Sequence, residues 1–194
     1  MPSLEQRIAE AVREEIAVVP YDPRWPAMFL EERDRLRAWL PTELIGRIEH
    51  FGSTAVPGLA AKPIVDMLIE VTDLEEVKRH VAPILASKGY DYFWRPTWGD
   101  DVPPWYARFI RRDVHGVRTH HLHMVERHFE HWNRLRFRDY LIQHPTVAEE
   151  YQTLKRRLAA AHPHDRAAYT RGKTEFIRKV SLAAERSTTD NKTV

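Results

Sequence analysis

The sequence predicts an α/β (α+β) fold: a mixed sheet with flanking helices, followed by a C-terminal helical segment. Three observations predict it. Residues 64–71, "IVDMLIEV", alternate two sets of side chains at the period of a strand. Between about 45 and 125, strand-like stretches are interleaved with one amphipathic helical stretch. Beyond about 127 only helical periodicity remains.

Taken in order, Leu4, Ile8, Ala11 and Val12 recur at helical spacing and predict a short helix over 3–15. "YDPRWP" turns the chain into a second helix, 27–40, with Phe29, Leu36 and Leu40 on one stripe and Pro41 as its stop. Strands are expected at 45–51 and 64–71, and a helix at 74–89 that Gly89 ends and Pro83 interrupts. Residues 90–104 begin as a strand and become a loop rich in Pro and Trp, while 105–125 read as two strands turning through "DVHG". A helix is expected near 129–143. Val147, Tyr151, Leu154, Leu158 and Ala161 then form one helix face, with Thr146 and Glu149 spaced as a capping box. Asp165 is placed to cap a last helix running to about 186, before a polar tail at 187–194. The division expected is a core at 1–126 and a helical segment at 127–186.

Composition narrows the function. The 194 residues carry a formal net charge of +2, with basic and acidic side chains interleaved, so the concentrated basic stripe of a nucleic-acid binder is missing. Without cysteine, thiolate catalysis, disulfides and Cys-type zinc sites are excluded. No apolar run reaches the roughly 20 residues of a membrane span, and the charged start, "MPSLEQRIAEAVREEI", lacks a signal peptide's apolar stretch. The expectation is a cytoplasmic protein.

The chemistry gathers around "HFGSTAVPGLAAKPIVDMLIEV", residues 50–71. Val65, Met67, Ile69 and Val71 share one strand face, wholly apolar and hence the core side; Ile64, Asp66, Leu68 and Glu70 share the other. The turn Gly52–Ser53–Thr54 exposes backbone N–H groups and two hydroxyls of the kind that cradle phosphate. It is not a P-loop, because no G-K-[ST] follows. In "THHLHMV", His121 and His123 share a strand face while His120 takes the opposite one; imidazoles at that spacing can chelate one ion.

Gly-Ser at a strand end followed by an acid on the next strand resembles the nucleotidyltransferase superfamily. The whole stretch 49–71 is similar to the signature of the GrpB family, and "YDPRWPAMF", "HHLHMV", "FRDYLIQHP" and "YTRGKTEFI" resemble its other blocks in order, over residues 17–181. The resemblance implies a nucleotidyltransferase-like sheet, and it implies that the strand with His121 and His123 runs near Asp66. A divalent ion (Zn, Mn or Mg) would then sit on Asp66, His121 and His123. Such an N₂O set suits Zn, Mn or Fe(II) better than Mg.

Gly52, Ser53, Thr54, Lys62, Tyr169 and Lys173 are the expected phosphate- or substrate-binding residues, Lys173 by analogy with a helical-half lysine of the superfamily. Trp94, Trp98 and Trp105 are candidates for stacking a base. One departure matters: transferring members carry D-x-[DE] on this strand, but here the second position is Leu68. Glu70, four residues from Asp66 at about 3.3 Å each, is too distant to share an ion. The expected function is binding of a nucleotide or phosphorylated small molecule, with metal-dependent nucleotidyl or phosphoryl transfer as the enzymatic form. The alternatives are a non-catalytic binding or folding-assistance module, since GrpB-like domains occur fused to a coenzyme A biosynthetic kinase, and metal-dependent hydrolysis.

Overall fold

The computed structural model describes residues 16–96 and 103–190. The expected helix at 3–15 and the loop residue Trp98 lie outside the described residues. The architecture is mixed α/β. The chain divides into two compact units that do not follow a single cut at 126. A sheet unit comprises Asp22–Ala55 and Ile64–Leu135; a helical unit takes Arg136–Val194 together with Met1–Tyr21 and Val56–Pro63.

In the sheet unit, α1 (Trp25–Trp39) precedes β1 (Ile45–Phe51), a 3₁₀ turn (Ser53–Ala55) and β2 (Val65–Val71). A helical stretch follows, Leu74–Glu76 (α2), a π-turn at Val77–Val81 and Ala82–Ser87 (α3). β3 (Asp91–Pro96), β4 (Trp105–Arg112) and β5 (Arg118–Glu126) complete a five-stranded sheet in the order β1-β2-β5-β4-β3. Only β2 and β5 are parallel; the other neighbours are antiparallel. The interruption expected at Pro83 takes the form of the π-turn. Proline has no N–H to return to the carbonyl four residues back, and a widened turn absorbs the missing bond. The β4–β5 turn closes on Asp113, whose carboxylate accepts from the N–H groups of His115 and Val117, with Gly116 at φ 78°.

One face of β2 is core, as its pattern requires: Val65, Met67, Ile69 and Val71 are all buried. The opposite face is covered as well. Leu68 is 0% exposed and packs with Phe51, Tyr106 and Val125, against which Phe129, Trp132 and Leu135 also lie. Alternation along a strand says which residues share a face, but not whether a later segment covers that face.

The helical unit contains most of α4 (Arg134–Gln143), then α5 (Pro145–Ala161), α6 (Arg166–Gly172) and α7 (Thr174–Asp190). Its core is Val56, Leu59, Leu141, Tyr151 and Val180. The extended piece 56–63 is held there by paired backbone bonds between Val19 and Ala61, 2.9 and 3.0 Å. The Thr146–Glu149 capping box does not form. The helix starts earlier, with His144 at the cap and Pro145 in the first turn, where a missing N–H costs nothing. Asp165 does cap its helix, accepting from Ala168 N at 2.9 Å. The single last helix that was expected is instead two, broken at Lys173. Gly172 allows the approach, since a Cβ there would fall 2.5 Å from Leu158 Cδ2.

Candidate functional site

The parallel pairing of β2 with β5 sets Asp66 beside His121 and Leu68 beside His123. All four side chains therefore project from one face of the sheet. His121 Nδ1 lies 3.1 Å and His123 Nε2 3.9 Å from the same Asp66 oxygen, and one ligand atom from each residue falls within 4.8 Å of the others. An ion with bonds of about 2.0–2.2 Å holds its ligands roughly 3–4.5 Å apart. The donor set fits one ion with small adjustments.

Asp66 is fixed from below by the opening of the 50–71 stretch. Gly52 has φ +74°, and a Cβ at that position would stand 2.6 Å from Asp66 Oδ2. The glycine thus serves twice: its backbone enters the left-handed region, and its bare Cα makes room for the carboxylate. Gly52→Ala is expected to lower the unfolding free energy by about 1–2 kcal/mol from the backbone alone and to displace Asp66. Urea denaturation together with the His121 imidazole ¹⁵N shifts checks both effects.

Around this trio the surroundings keep His123 and the neighbouring His131 neutral. Burial first, then the charges of Arg108 and Arg134, push the His123 imidazole well below its ordinary pKa. His131 falls to about 3, through burial and then Arg134. Neutral imidazole is the form that binds metal. Tyr106 stacks on His123 with ring centroids 5.5 Å apart, and Phe51 meets it edge-on at 5.2 Å. The His123 Nδ1 is buried without a hydrogen-bond partner, so the ring is aimed by aromatic packing instead.

Two arginines border the trio. Arg108 stands opposite His123 in the β4–β5 register, and its Nη2 is 3.1 Å from His121 Nδ1. Guanidinium only donates and carboxylate only accepts, so the one Nδ1 serves the Arg108 contact as an acceptor or the Asp66 contact as a donor, according to its tautomer. Arg134, exposed at the start of α4, lies within electrostatic range of Asp66.

The other expected binding residues are distributed differently. Ser53 is half-buried in the 3₁₀ turn beside Gly52. Thr54 is 1% exposed and its hydroxyl is engaged internally, 3.0 Å from His50 Nε2 and donating to the Ile64 carbonyl at 3.4 Å. The side chain latches the turn to the strand. His120, on the opposite sheet face, contacts Thr119 and the Met28 carbonyl. Trp94 and Trp105 stack on each other with centroids 6.3 Å apart, and Lys78 Nζ caps the Trp94 ring at 3.6 Å. Lys62, Tyr169 and Lys173 belong to the helical unit, where both amines lie over the Tyr169 ring, at 5.2 and 4.5 Å from its centroid.

Sequence reasoning missed Arg108, His131, Arg134 and the aromatic wall of Tyr106. For Arg108 a signal existed, since "WYARFIRR" alternates with period two and puts Tyr106, Arg108 and Ile110 on one face. Knowing which face required the strand order.

Residues 15–182 match the family model described as GrpB protein. The chain is 38% identical over 181 residues to UPF0157 protein YqkA of Bacillus subtilis, covering 90% of this chain and 48% of that protein, so it spans about half the length of that relative. It is 41% identical over 193 residues to UPF0157 protein PA4798 of Pseudomonas aeruginosa, covering 93% and 74% of the two chains. The fold is similar to the crystal structure of conserved protein GrpB from Enterococcus faecalis, with a TM-score of 0.74 and 33% identity over 89% of this chain and 99% of that one.

Proposed function

The chain belongs to the GrpB family, and from that premise we propose that it binds one divalent ion on Asp66, His121 and His123 and, through it, a phosphorylated small molecule such as a nucleotide. One observation carries the reading: three ligand atoms from two adjacent parallel strands lie within 4.8 Å of one another. Two imidazoles and a carboxylate suit Zn or Mn. Three protein ligands leave a coordination position for a water or a substrate oxygen.

The arginines support an anionic ligand. Arg108, 3.1 Å from His121, and Arg134, in electrostatic range of Asp66, would place positive charge beside an oxygen bound at the ion. An ion of this kind polarises a phosphoryl oxygen, which is the chemistry of phosphoryl or nucleotidyl transfer. The paired clamp of two ions is not available, because Leu68 fills the second acidic position with buried hydrocarbon. Single-ion binding, with transfer as its enzymatic form, is therefore the function the geometry supports best.

The test is metal analysis of protein purified without a histidine tag and reconstituted with Zn or Mn. About one equivalent is expected in the parent, and less than a tenth of that in Asp66→Asn and in His121→Ala. Nucleotides should raise Tm only in the metal-loaded protein; saturation at 100 times Kd corresponds to about 2.7 kcal/mol. Metal absent from the reconstituted parent sinks the reading. Nucleotide stabilisation that ignores metal assigns the protein to the binding-module class.

A further inference from the structure

The helical unit contains a buried amine with no acid to balance it. Lys155 on α5 is 2% exposed. Its Nζ donates to the Ala60 carbonyl and lies 4.8 Å from the Tyr151 ring centroid. Gln152, one turn-neighbour on the same helix, accepts from the Ala60 N–H at 2.7 Å. The charges acting on Lys155 are those of Lys173 and Arg156, both cationic. Among the described ion pairs, none includes Lys155.

Two residues beyond Ala60, Lys62 reaches over the Tyr169 ring, and Lys173 reaches over the same ring. Tyr169 is itself 1% exposed, and burial raises its hydroxyl to about 12, so it adds no negative charge. Two amines therefore share one neutral ring, and the third, Lys155, sits on the Ala60 carbonyl two residues from Lys62 and within electrostatic reach of Lys173. Burying an ammonium without a counter-charge favours the neutral amine, and a second cation nearby favours it further. An anion placed among these amines reverses both effects.

We propose that Lys62, Lys155 and Lys173 form an anion site for a phosphate or pyrophosphate group in the helical unit, and that Lys155 takes up a proton as the anion binds. The inference stands apart from the metal reading, since none of its residues is a ligand there. Burial, followed by Lys173 and Arg156, holds the Lys155 amine at about 7. At pH 8 the amine is mostly neutral, so anion binding draws in most of one proton. At pH 6 it is already charged and the uptake vanishes.

The experiment is titration calorimetry with inorganic pyrophosphate in EDTA, on the whole 194-residue chain carrying Asp66→Asn, in two buffers of different ionisation enthalpy. Relative to the Lys155→Met variant, which subtracts the ligand's own titration, the parent is expected to take up at least half a proton at pH 8 and almost none at pH 6. Lys62→Gln should weaken binding about tenfold while keeping the uptake, and Lys173→Gln should weaken it about tenfold with a smaller uptake, since one of the charges that depress the Lys155 amine is gone. Should Lys155→Met fail to fold, the lysine ε-carbon resonances of the parent decide. One lysine titrating near neutrality, and moving up by at least one pH unit in pyrophosphate, supports the site. No binding, no uptake in the parent, equal uptake in Lys155→Met, or no such resonance overturns it.

Discussion

Leu68→Asp, which writes the missing carboxylate into the D-x-[DE] spacing, is expected to unfold the sheet unit rather than build a second metal position. Leu68 is fully buried against Phe51, Tyr106 and Val125. Truncating a leucine at such a site costs about 2–5 kcal/mol, and an unpaired polar group left in the cavity adds at least about 1–3 kcal/mol. The total is a large share of a typical domain's stability of about 5–15 kcal/mol. The new carboxyl would be driven to its neutral form by burial, and a neutral acid is a poor ligand. Leu68→Ala separates the two contributions, since it opens the cavity without the polar group. Urea midpoints of both variants, with metal content measured on whatever folds, check the result. A stable Leu68→Asp protein holding two ions would show that the covered face opens readily and that Asp66 belongs to a two-ion centre.

Leu68 also marks where the sequence stopped being legible. The period-two pattern of "IVDMLIEV" placed Asp66 and Leu68 on the same face, and the register agrees. What pattern lacks is the cover: Tyr106 and Val125 come from β4 and β5, and Phe129, Trp132 and Leu135 from the chain after β5. Those pairings are set by long-range packing, and no local window contains them. The strand limits at 45–51 and the turn at Gly116 were readable because alternation and glycine chemistry are local. The capping box failed for a related reason. Thr146 and Glu149 have the spacing, yet Pro145 already supplies a helix start one residue ahead of them.

The candidate site was legible in part. Asp66, His121 and His123 each stood out as polar groups inside apolar strands, and the neighbouring of their strands was implied only by family resemblance. Arg108 and Arg134 were not singled out, because an arginine in an amphipathic segment is ordinary until the fold shows what it faces. Lys155 was hidden more thoroughly. In "YQTLKRRLAAAH" it reads as one of three consecutive basic side chains on a helix surface, and only the Ala60 carbonyl reveals the inward turn.

That inward turn makes a second large effect. Lys155→Met is expected to change the stability profile with pH, by an amount that other losses at the site cannot imitate. The amine titrates at about 7 in the folded protein against 10.5 for the ordinary value. Between those values the unfolded chain binds the extra proton, so the parent gains stability as pH rises and is most penalised below pH 7. Two pH units of that interval lie between 7 and 9, at about 1.36 kcal/mol each. The stability difference, Lys155→Met minus parent, should therefore shrink by about 2–3 kcal/mol from pH 6 to pH 9. Removing the amine also leaves the Ala60 carbonyl without its donor, a cost of about 1–3 kcal/mol, but that cost is the same at every pH. Methionine keeps most of the volume and the packing against Tyr151, so cavity effects are small. Urea unfolding of both proteins at several pH values isolates the slope from the offset. A difference that stays flat across the range would mean that Lys155 remains charged inside the fold, with a counter-charge supplied on folding, and the neutral-amine account of this site would fall.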